Sequence, residues 1–377
     1  MSLLLFLALG LFTIGSTSFL VPALLPQIGE TLGTSLALIA QGVTSFSLAY
    51  LLSAPLFAII LANHSIKRRV QIALLIFIIG NLFSFLSTNI TFFLVARAIT
   101  GIGAGIFTPL CLTLAGMLSK PHTKGKFLSL LLGANSAGVV FGVPIGLSLS
   151  KMYSWQLPLA LIAFFAAVSL LGFSFEKLDQ NFHNEATSGN RFSLLQRFEV
   201  FSVLGVTCFI SFSSLGLFSY IAPLQQGAYY SLELSLFVWG LGGFLGSSFI
   251  GFVIDQIKRP SLIMSFIVFG LMLSLLSLSF TKMMPYVELI SFFFWGLFGW
   301  AITSPQQYIL SNLDKKNETI LAALNSSALG LGHALGSGLV GLVIASGFQI
   351  IKLPILASLI LFGVFVFQFF LTQKKEF

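Results

Sequence analysis

The stretch GANSAGVVFGVPIG, residues 133–146, recurs in altered form as ALNSSALGLGHALG at residues 323–336. In both copies an Asn-Ser pair is followed, at the same distances, by two glycines that stand four residues apart. The difference in residue number between matching positions is constant along the stretch, so one hydrophobic helix is present twice. An internal repeat of this kind indicates a duplicated architecture. Glycines four residues apart lie on one helix face, where a second backbone can approach closely. We therefore predict that both stretches are seams between packed helices.

The composition indicates an integral membrane protein. Of the 377 residues, 56% are hydrophobic and 8% are charged, with a mean hydropathy of +1.00, whereas soluble domains carry roughly one quarter charged residues. The formal net charge of +8 comes from short basic clusters between apolar runs, a pattern that argues against nucleic-acid binding. Cys111 and Cys208 both lie in apolar runs, so they indicate neither a disulfide framework nor a metal site. We expect no cofactor and no metal.

Twelve apolar windows are long enough to cross a membrane as helices, which takes about 20 residues each. Six precede a polar central segment and six follow it, at residues 3–26, 36–62, 69–88, 91–118, 126–150, 155–175, 199–224, 231–254, 260–281, 284–311, 318–346 and 350–372. We predict an all-α membrane protein. Its parts are an N-terminal six-helix half at 1–175, a cytoplasmic central loop at 176–198 and a C-terminal six-helix half at 199–377.

Basic residues are concentrated in every second connection between the predicted spans. Clusters of Lys and Arg follow the even-numbered spans, whereas the odd-numbered connections hold only Lys151, Lys282 and Lys352. The positive-inside rule therefore predicts that both termini are cytoplasmic. We expect a multi-pass protein of the plasma membrane or bacterial inner membrane.

Other pairs of spans are also duplicated. Spans 1 and 7 end in SFLVP at residues 18–22 and SYIAP at residues 219–223, and spans 4 and 10 share a glycine followed by Thr-Pro or Ser-Pro. Two six-helix halves with the same internal order form the parallel repeat of a large transporter fold. In that fold the substrate site lies between the halves, near the middle of the membrane.

These motifs resemble the major facilitator superfamily over essentially the whole chain. Residues 251–259, GFVIDQIKR, look like the signature loop after the second helix of each half, in which an Asp caps the helix and basic residues follow. In the first copy, Asn63 replaces the usual Asp and His64 the usual Arg. The resemblance implies the twelve-helix major facilitator fold. It also implies cytoplasmic gate loops at Asn63, Arg68, Asp255, Lys258 and Arg259.

Two further motifs resemble the drug:proton antiporter group of that superfamily. Arg97 and Gly101 look like the Arg-xxx-Gly motif of the fourth helix, with Thr100 in place of the usual Gln. Residues 142–146 match the Gly-Val-Pro-x-Gly form found in the fifth helix of arabinose-efflux and purine-efflux permeases. The resemblance implies a role in helix packing and gating for Gly138, Gly142, Pro144 and Gly146, with Gly332 and Gly336 as duplicate positions.

Ionisable groups within the spans are candidate functional groups, because a charge at a helix centre costs roughly 2.5 to 3.5 kcal/mol. Arg97 lies about 10 Å into span 4 at ~1.5 Å per residue; alternatively, its guanidinium snorkels to the interface. His333, near the middle of span 11, is suited to carry a coupling proton or is a neutral group hydrogen-bonded between helices. Glu288 either anchors the start of span 10 at the interface or, if the span begins earlier, is the only membrane carboxylate.

Uncharged polar and aromatic side chains in the spans indicate the kind of solute. Asn135 and Asn325 could form hydrogen bonds with it, and Trp239, Trp295 and Trp300 could stack on a flat molecule. Serine, threonine and asparagine also join helices to one another in membranes. As a set, these residues favour a neutral or amphipathic organic solute over an inorganic ion, which needs carboxylates or rings of carbonyls.

We predict a secondary transporter that moves a small organic solute by alternating access, with efflux as the direction and protons as the candidate coupling ion. The alternative is a nutrient uptake permease or facilitator, for an amino acid, a nucleobase or a sugar, without proton coupling. The histidines are scattered over separate loops, which argues against a membrane enzyme. A channel would require a constriction lined by repeated charges or carbonyl groups, and the sequence shows neither. We expect a monomer whose partners are the solute and the lipid bilayer.

Overall fold

The computed structural model of the chain describes residues 2–61, 64–118, 124–176, 194–257, 259–281, 284 and 286–373. Within these ranges, twelve helical segments are long and apolar enough to cross a membrane. The predicted all-α membrane fold class is therefore confirmed. Most of the predicted central loop, residues 177–193, lies outside the described residues.

The chain divides into two compact units, Met1–Ala186 and Thr187–Phe377. In the first unit, spans 1 to 6 are formed by Ser2–Leu32, Leu36–Ile60, Ile66–Phe85, Ile90–Leu118, the composite of Lys124–Ala137, Gly138–Gly142 and Val143–Met152, and Gln156–Phe175. In the second unit, spans 7 to 12 are formed by Phe198–Phe218 with Ile221–Leu224, Leu232–Ile257, Pro260–Thr281, Val287–Ala301 with Thr303–Leu313, Glu318–Ala345, and Leu353–Thr372.

The two units pack their helices in the same order. In the first unit, span 4 packs between spans 2 and 3, span 3 contacts span 6, and span 1 contacts spans 5 and 6. In the second unit, span 10 packs between spans 8 and 9, span 9 contacts span 12, and span 7 contacts spans 11 and 12. The duplication seen in the sequence therefore extends to the packing of each unit.

The duplicated stretches lie where the backbones of two helices are in close contact. Gly138 of span 5 lies against the carbonyl oxygen of Phe12 in span 1, and Gly332 of span 11 lies against the carbonyl oxygen of Cys208 in span 7. A Cβ added at either glycine would lie well inside contact distance of that oxygen. Small residues permit this backbone contact between membrane helices.

Span 5 contains a π-helical turn at Gly138–Gly142 that the sequence pattern does not predict. Pro144 follows directly, and a proline has no N–H to donate to the carbonyl four residues earlier, while its ring crowds that carbonyl. Insertion of a wider turn is one way for a helix to absorb this defect. Span 11 has Ala334 at the duplicate position and is α-helical from Glu318 to Ala345.

Span 7 is broken where the sequence analysis predicts one helix to residue 224. The long helix ends at Phe218, a turn follows at Ser219 and Tyr220, and a short helix, Ile221–Leu224, resumes. Pro223 lies four residues after Ser219, whose carbonyl therefore has no helical donor. Span 1 carries prolines in the corresponding region, yet its helix continues to Leu32. The break distinguishes the two units.

Substituting alanine at Gly138 tests the contact between spans 1 and 5. We expect Gly138→Ala to lower the free energy of unfolding by about 1–3 kcal/mol, the usual cost of overpacking, because the new methyl group meets the Phe12 carbonyl. The matched control is Gly133→Ala, in the same helix with nothing within 4 Å of the added Cβ. Thermal melting of detergent-purified variants checks this, and equal melting temperatures for the two would contradict it.

Candidate functional site

A buried polar network surrounds Arg97 in the first unit. The Arg97 side chain is 1% exposed, and its Nη1 donates a 3.4 Å hydrogen bond to Thr17 Oγ1 in span 1. Thr17 Oγ1 in turn donates to Asn81 Oδ1 of span 3 at 3.1 Å. The guanidinium carbon lies 4.5 Å from the centre of the Phe46 ring in span 2. Arg97 thus joins span 4 to the three spans around it.

The burial of Arg97 argues against the snorkelling interpretation, which requires the guanidinium to reach water. Arg97 forms no ion pair with any residue in the described part of the chain, and its Nε is buried without a hydrogen-bond partner there. An uncompensated buried charge is costly and does not by itself add stability. Retention of such a group in a membrane span is typical of a functional residue.

His333 lies beside the break in span 7. Its Nε2 is 3.3 Å from Ser219 Oγ, at the turn where the helix is interrupted. The next residue, Tyr220, donates from its hydroxyl to the Ser337 carbonyl of span 11 at 2.6 Å. Two hydroxyl-bearing residues of the turn therefore join it to span 11. A discontinuous span next to polar side chains is a common feature of transporter binding sites.

Glu288 occupies the first turn of span 10 but is not exposed at an edge. Its side chain is 1% exposed, and Gln225 Nε2 donates to Glu288 Oε1 at 2.6 Å and to Ser235 Oγ at 2.8 Å. Glu288 is also not the only carboxylate in a span, since Glu233 lies in the first turn of span 8. Glu288 is therefore buried in the first turn of its helix, and its placement at the membrane interface stays a prediction.

The two duplicated asparagines face the helix that pairs with their own. Asn325 is 2% exposed and accepts a 2.8 Å hydrogen bond from Thr207 Oγ1 of span 7. Asn135 lies against Gly15 of span 1. In this conformation both side chains are at helix-packing seams, so their predicted contact with a solute stays a prediction.

Two of the tryptophans expected to stack on a solute pack instead on each other. Trp239 and Trp295 are 1% and 0% exposed, with ring centres 6.0 Å apart. Phe218 lies 4.4 Å from Trp239, and Trp295 Nε1 donates to Ser214 Oγ at 2.8 Å. Trp300 is half-buried and lies at the edge of this cluster, 5.8 Å from Trp239.

The glycines assigned to packing and gating all face the neighbouring span. In span 5, Gly142 lies against Ser16 and Gly146 against Leu20. In span 11, Gly336 lies against the backbone of Gly216. Pro144 follows the π-helical turn, and its gating role stays a prediction.

The predicted gate-loop residues are on the surface where the structure describes them. Arg68, Asp255 and Arg259 are exposed, whereas Asn63 and Lys258 lie outside the described residues. Sequence analysis missed a neighbour, Lys67, whose Nζ donates to the carbonyls of Ser174 and Glu176 at 2.8 and 2.6 Å. A cation there caps the carboxyl end of span 6, where the helix dipole favours positive charge.

A second missed contact lies in the second unit. Arg197, just before span 7, forms a 3.2 Å ion pair with Asp314 in the connection between spans 10 and 11. The partners are more than a hundred residues apart in the chain, so no local sequence signal predicts the pair.

Comparisons with known proteins agree with this architecture. A family model described as Major Facilitator Superfamily matches residues 6–337. The chain is 26% identical over 381 residues to the uncharacterized MFS-type transporter YbcL of Bacillus subtilis (strain 168), covering 95% of each. It is 28% identical over 257 residues to the purine ribonucleoside efflux pump NepI of Shigella sonnei (strain Ss046), covering 65% of this chain and 63% of NepI.

Among solved structures, the fold is similar to that of the nucleoside transporter NupG. The TM-score is 0.81 at 13% sequence identity, over 99% of this chain and 100% of that chain. At this identity the likeness supports the fold.

Substitution of Arg97 separates a functional role from a structural one. We expect Arg97→Gln to leave the melting temperature unchanged or raised, because a buried charge is removed and no ion pair with a described residue is lost. Transport is expected to fall at least about tenfold, which is ~1.4 kcal/mol on the barrier. Arg97→Lys should also impair transport, because an ammonium group lacks the planar fork of donors.

Arg197→Gln is the control for this experiment, since its half-exposed pair with Asp314 contributes at most about 1 kcal/mol. Solute flux and melting temperature are measured on the same preparations. Normal solute flux in both Arg97 variants would contradict a role of Arg97 in transport and would support a structural role.

Proposed function

The chain belongs to the major facilitator superfamily and is therefore a membrane transporter of small solutes, not an enzyme; from that premise we propose that it exports a small organic solute by alternating access. The plasma or bacterial inner membrane is the proposed location, with both termini cytoplasmic. We further propose that a proton gradient drives export and that the working unit is a monomer.

The geometry of span 5 is the observation that carries the proposed direction. The Gly-Val-Pro-x-Gly motif at residues 142–146 resembles the fifth helix of efflux permeases, and here it contains the end of a π-helical turn that packs on span 1. A π-turn in a helix is frequently associated with function. The similarity to NepI, whose name describes an efflux pump, supports the same direction.

Alternating access is supported by the repetition of helix packing in the two units. Each unit carries the same helix pairings, so each can move as one body while its internal contacts persist. In transporters built from such repeats, rigid-body rocking of one bundle against the other exposes the site to each side in turn.

The candidate groups for proton coupling are in the second unit. His333 lies next to the interrupted part of span 7, where a change in the conformation of the turn would alter its surroundings. Glu288 is buried with Gln225, and in the described part of the first unit neither Glu30 nor Glu176 is buried. Because a histidine can change its charge near neutral pH, we propose His333 as the coupling residue and Glu288 as its alternative.

The proposed solute is a neutral or amphipathic organic molecule. Thermal stabilisation of the purified protein identifies a ligand without any assumption about direction, because a ligand that binds only the folded state raises the melting temperature. We expect stabilisation by purine nucleosides or amphipathic cations. Stabilisation by an amino acid, a nucleobase or a sugar, and by nothing else in the panel, would instead support nutrient uptake or facilitated diffusion.

A stabilising solute is then used to test transport in proteoliposomes. We expect counterflow of labelled solute, accelerated by unlabelled solute on the opposite side, and accumulation driven by an imposed pH gradient. Counterflow without gradient-driven accumulation would contradict proton coupling and leave a facilitator. Flux without acceleration by unlabelled solute would contradict a carrier mechanism.

Removing the titratable group at position 333 tests the coupling proposal. We expect His333→Asn to abolish gradient-driven accumulation and to retain counterflow, because Asn can still form a hydrogen bond with Ser219 but cannot bind a proton. Glu288→Gln is the matched variant, which keeps the hydrogen-bonding shape of the carboxyl group. Gradient-driven accumulation retained in His333→Asn and lost in Glu288→Gln would transfer the coupling role to Glu288.

A further inference from the structure

An apolar groove lies between spans 8 and 9 of the second unit, with span 10 as its floor. Its volume is about 520 Å³, and every residue lining it in the described part of the chain is apolar or glycine. Leu245 and Ile257 mark its two ends along span 8, Phe266 lies on the span 9 side, and Ala301 belongs to the floor.

The groove exists because spans 8 and 9 both pack on span 10 and only slightly on each other. Gly246 of span 8 lies against the carbonyl oxygen of Leu297, and Gly270 of span 9 lies against the ring of Phe298. Both contacts draw the outer helices down onto span 10. The small side chain of Ala301 then leaves the space between them unfilled.

The length of the groove matches one leaflet of a membrane. From Leu245 to Ile257 the helix rises ~18 Å at about 1.5 Å per residue. Half of a hydrocarbon core of about 30 Å is ~15 Å. A single extended acyl chain would therefore follow the groove over its length.

The chemistry of the wall favours a hydrocarbon over an organic solute. Binding sites for small molecules combine an apolar wall with a few polar groups that fix orientation, whereas the described residues that line this groove supply no polar side chain. Phe249 and Phe266 are 59% and 66% exposed, so the groove is open along its side. Lipid chains suit both the apolar lining of the groove and its open side.

One end of the groove carries positive charge. Ile263, which lines the groove, donates its backbone N–H to the carbonyl of Arg259 at 3.1 Å, so exposed Arg259 stands one helical turn beyond it. Lys258 precedes Arg259 in the sequence. The nearby carboxylate, Asp255, lies two residues from both Val253 and Ile257, which line the groove, and therefore points away from it.

We propose that this groove binds one acyl chain of an anionic phospholipid, with the headgroup phosphate held by Arg259. Basic residues at the end of an interhelical pocket are a recognised basis for binding anionic headgroups. The groove shares no residue with the groups proposed for solute binding and proton coupling, while Arg259 also belongs to the predicted gate loop. It would make spans 8, 9 and 10 sensitive to the lipid composition of the membrane.

Fluorescence quenching by brominated lipids tests this site. Phe266→Trp places a reporter on the groove wall at an exposed position. Phe269→Trp is the matched control, one turn further along span 9 and packed against Phe365 of span 12 with ring centres 5.3 Å apart. Signal from the four native tryptophans is subtracted using the unsubstituted protein. Each variant is reconstituted into phosphatidylcholine vesicles that contain increasing shares of acyl-brominated phosphatidylglycerol or acyl-brominated phosphatidylcholine.

For Phe266→Trp we expect half-maximal quenching at a share of brominated phosphatidylglycerol about fivefold lower than the share of brominated phosphatidylcholine. A preference of this size corresponds to the attraction of about one basic side chain for an anionic headgroup. Phe269→Trp should show no such preference. Adding Arg259→Gln to Phe266→Trp should remove the preference and leave the fold intact, because Arg259 is exposed.

Three outcomes would overturn the proposal. Equal quenching of Phe266→Trp by the two lipids would mean that the headgroup is not selected. The same preference at both reporters would mean general enrichment of anionic lipid around a basic protein. Finally, the reporter could show no preference for phosphatidylglycerol and lose its quenching when an amphipathic cation is added. That result would assign the groove to a solute.

Discussion

The close approach of span 5 to span 1, and of span 11 to span 7, is the constraint on which each unit depends. Helices in a membrane gain little from burying apolar surface against one another, because lipid is equally apolar. Backbone contact at Gly138 and Gly332 therefore has to supply packing energy that a soluble protein would obtain from its core. The remaining helices pack in the same order in both units.

The two units differ in the charges they contain, although their packing is the same. The first holds a buried cation, Arg97, joined to Thr17 and Asn81, whereas the second holds a buried carboxylate, Glu288, and a histidine at a broken helix. The proposed solute contacts and the proposed proton chemistry therefore need not share one residue. This division also explains why the sequence offers so few candidates for coupling: the architecture is duplicated, but the ionisable groups are not.

Sequence analysis predicted the spans and their duplication because the length of an apolar stretch and its repetition can be read directly from the order of residues. It did not predict the interruptions, because similar prolines have different effects. A π-turn precedes Pro144 and a break precedes Pro223, whereas the long helix of span 1 contains prolines and has neither. The outcome depends on which neighbouring helix can satisfy the freed carbonyl.

The candidate site was predicted as a set of residues but not as contacts. Partners such as Thr17 and Asn81, or Lys67 and Ser174, are distant in the chain, and the mutual packing of Trp239 and Trp295 follows from tertiary structure alone.

The π-turn of span 5 makes the two copies of one duplicated helix differ in backbone path. Spans 5 and 11 keep the same number of residues between their Asn-Ser pair and their glycines, yet only span 5 contains a wide turn. Pro144 stands after the wide turn in one copy and Ala334 stands at the duplicate position in the other, and the two helices follow different backbone paths over the same interval. Two copies of one helix therefore differ in backbone path with no insertion or deletion between them, so a duplicated architecture contains one pair of helices that is not symmetric.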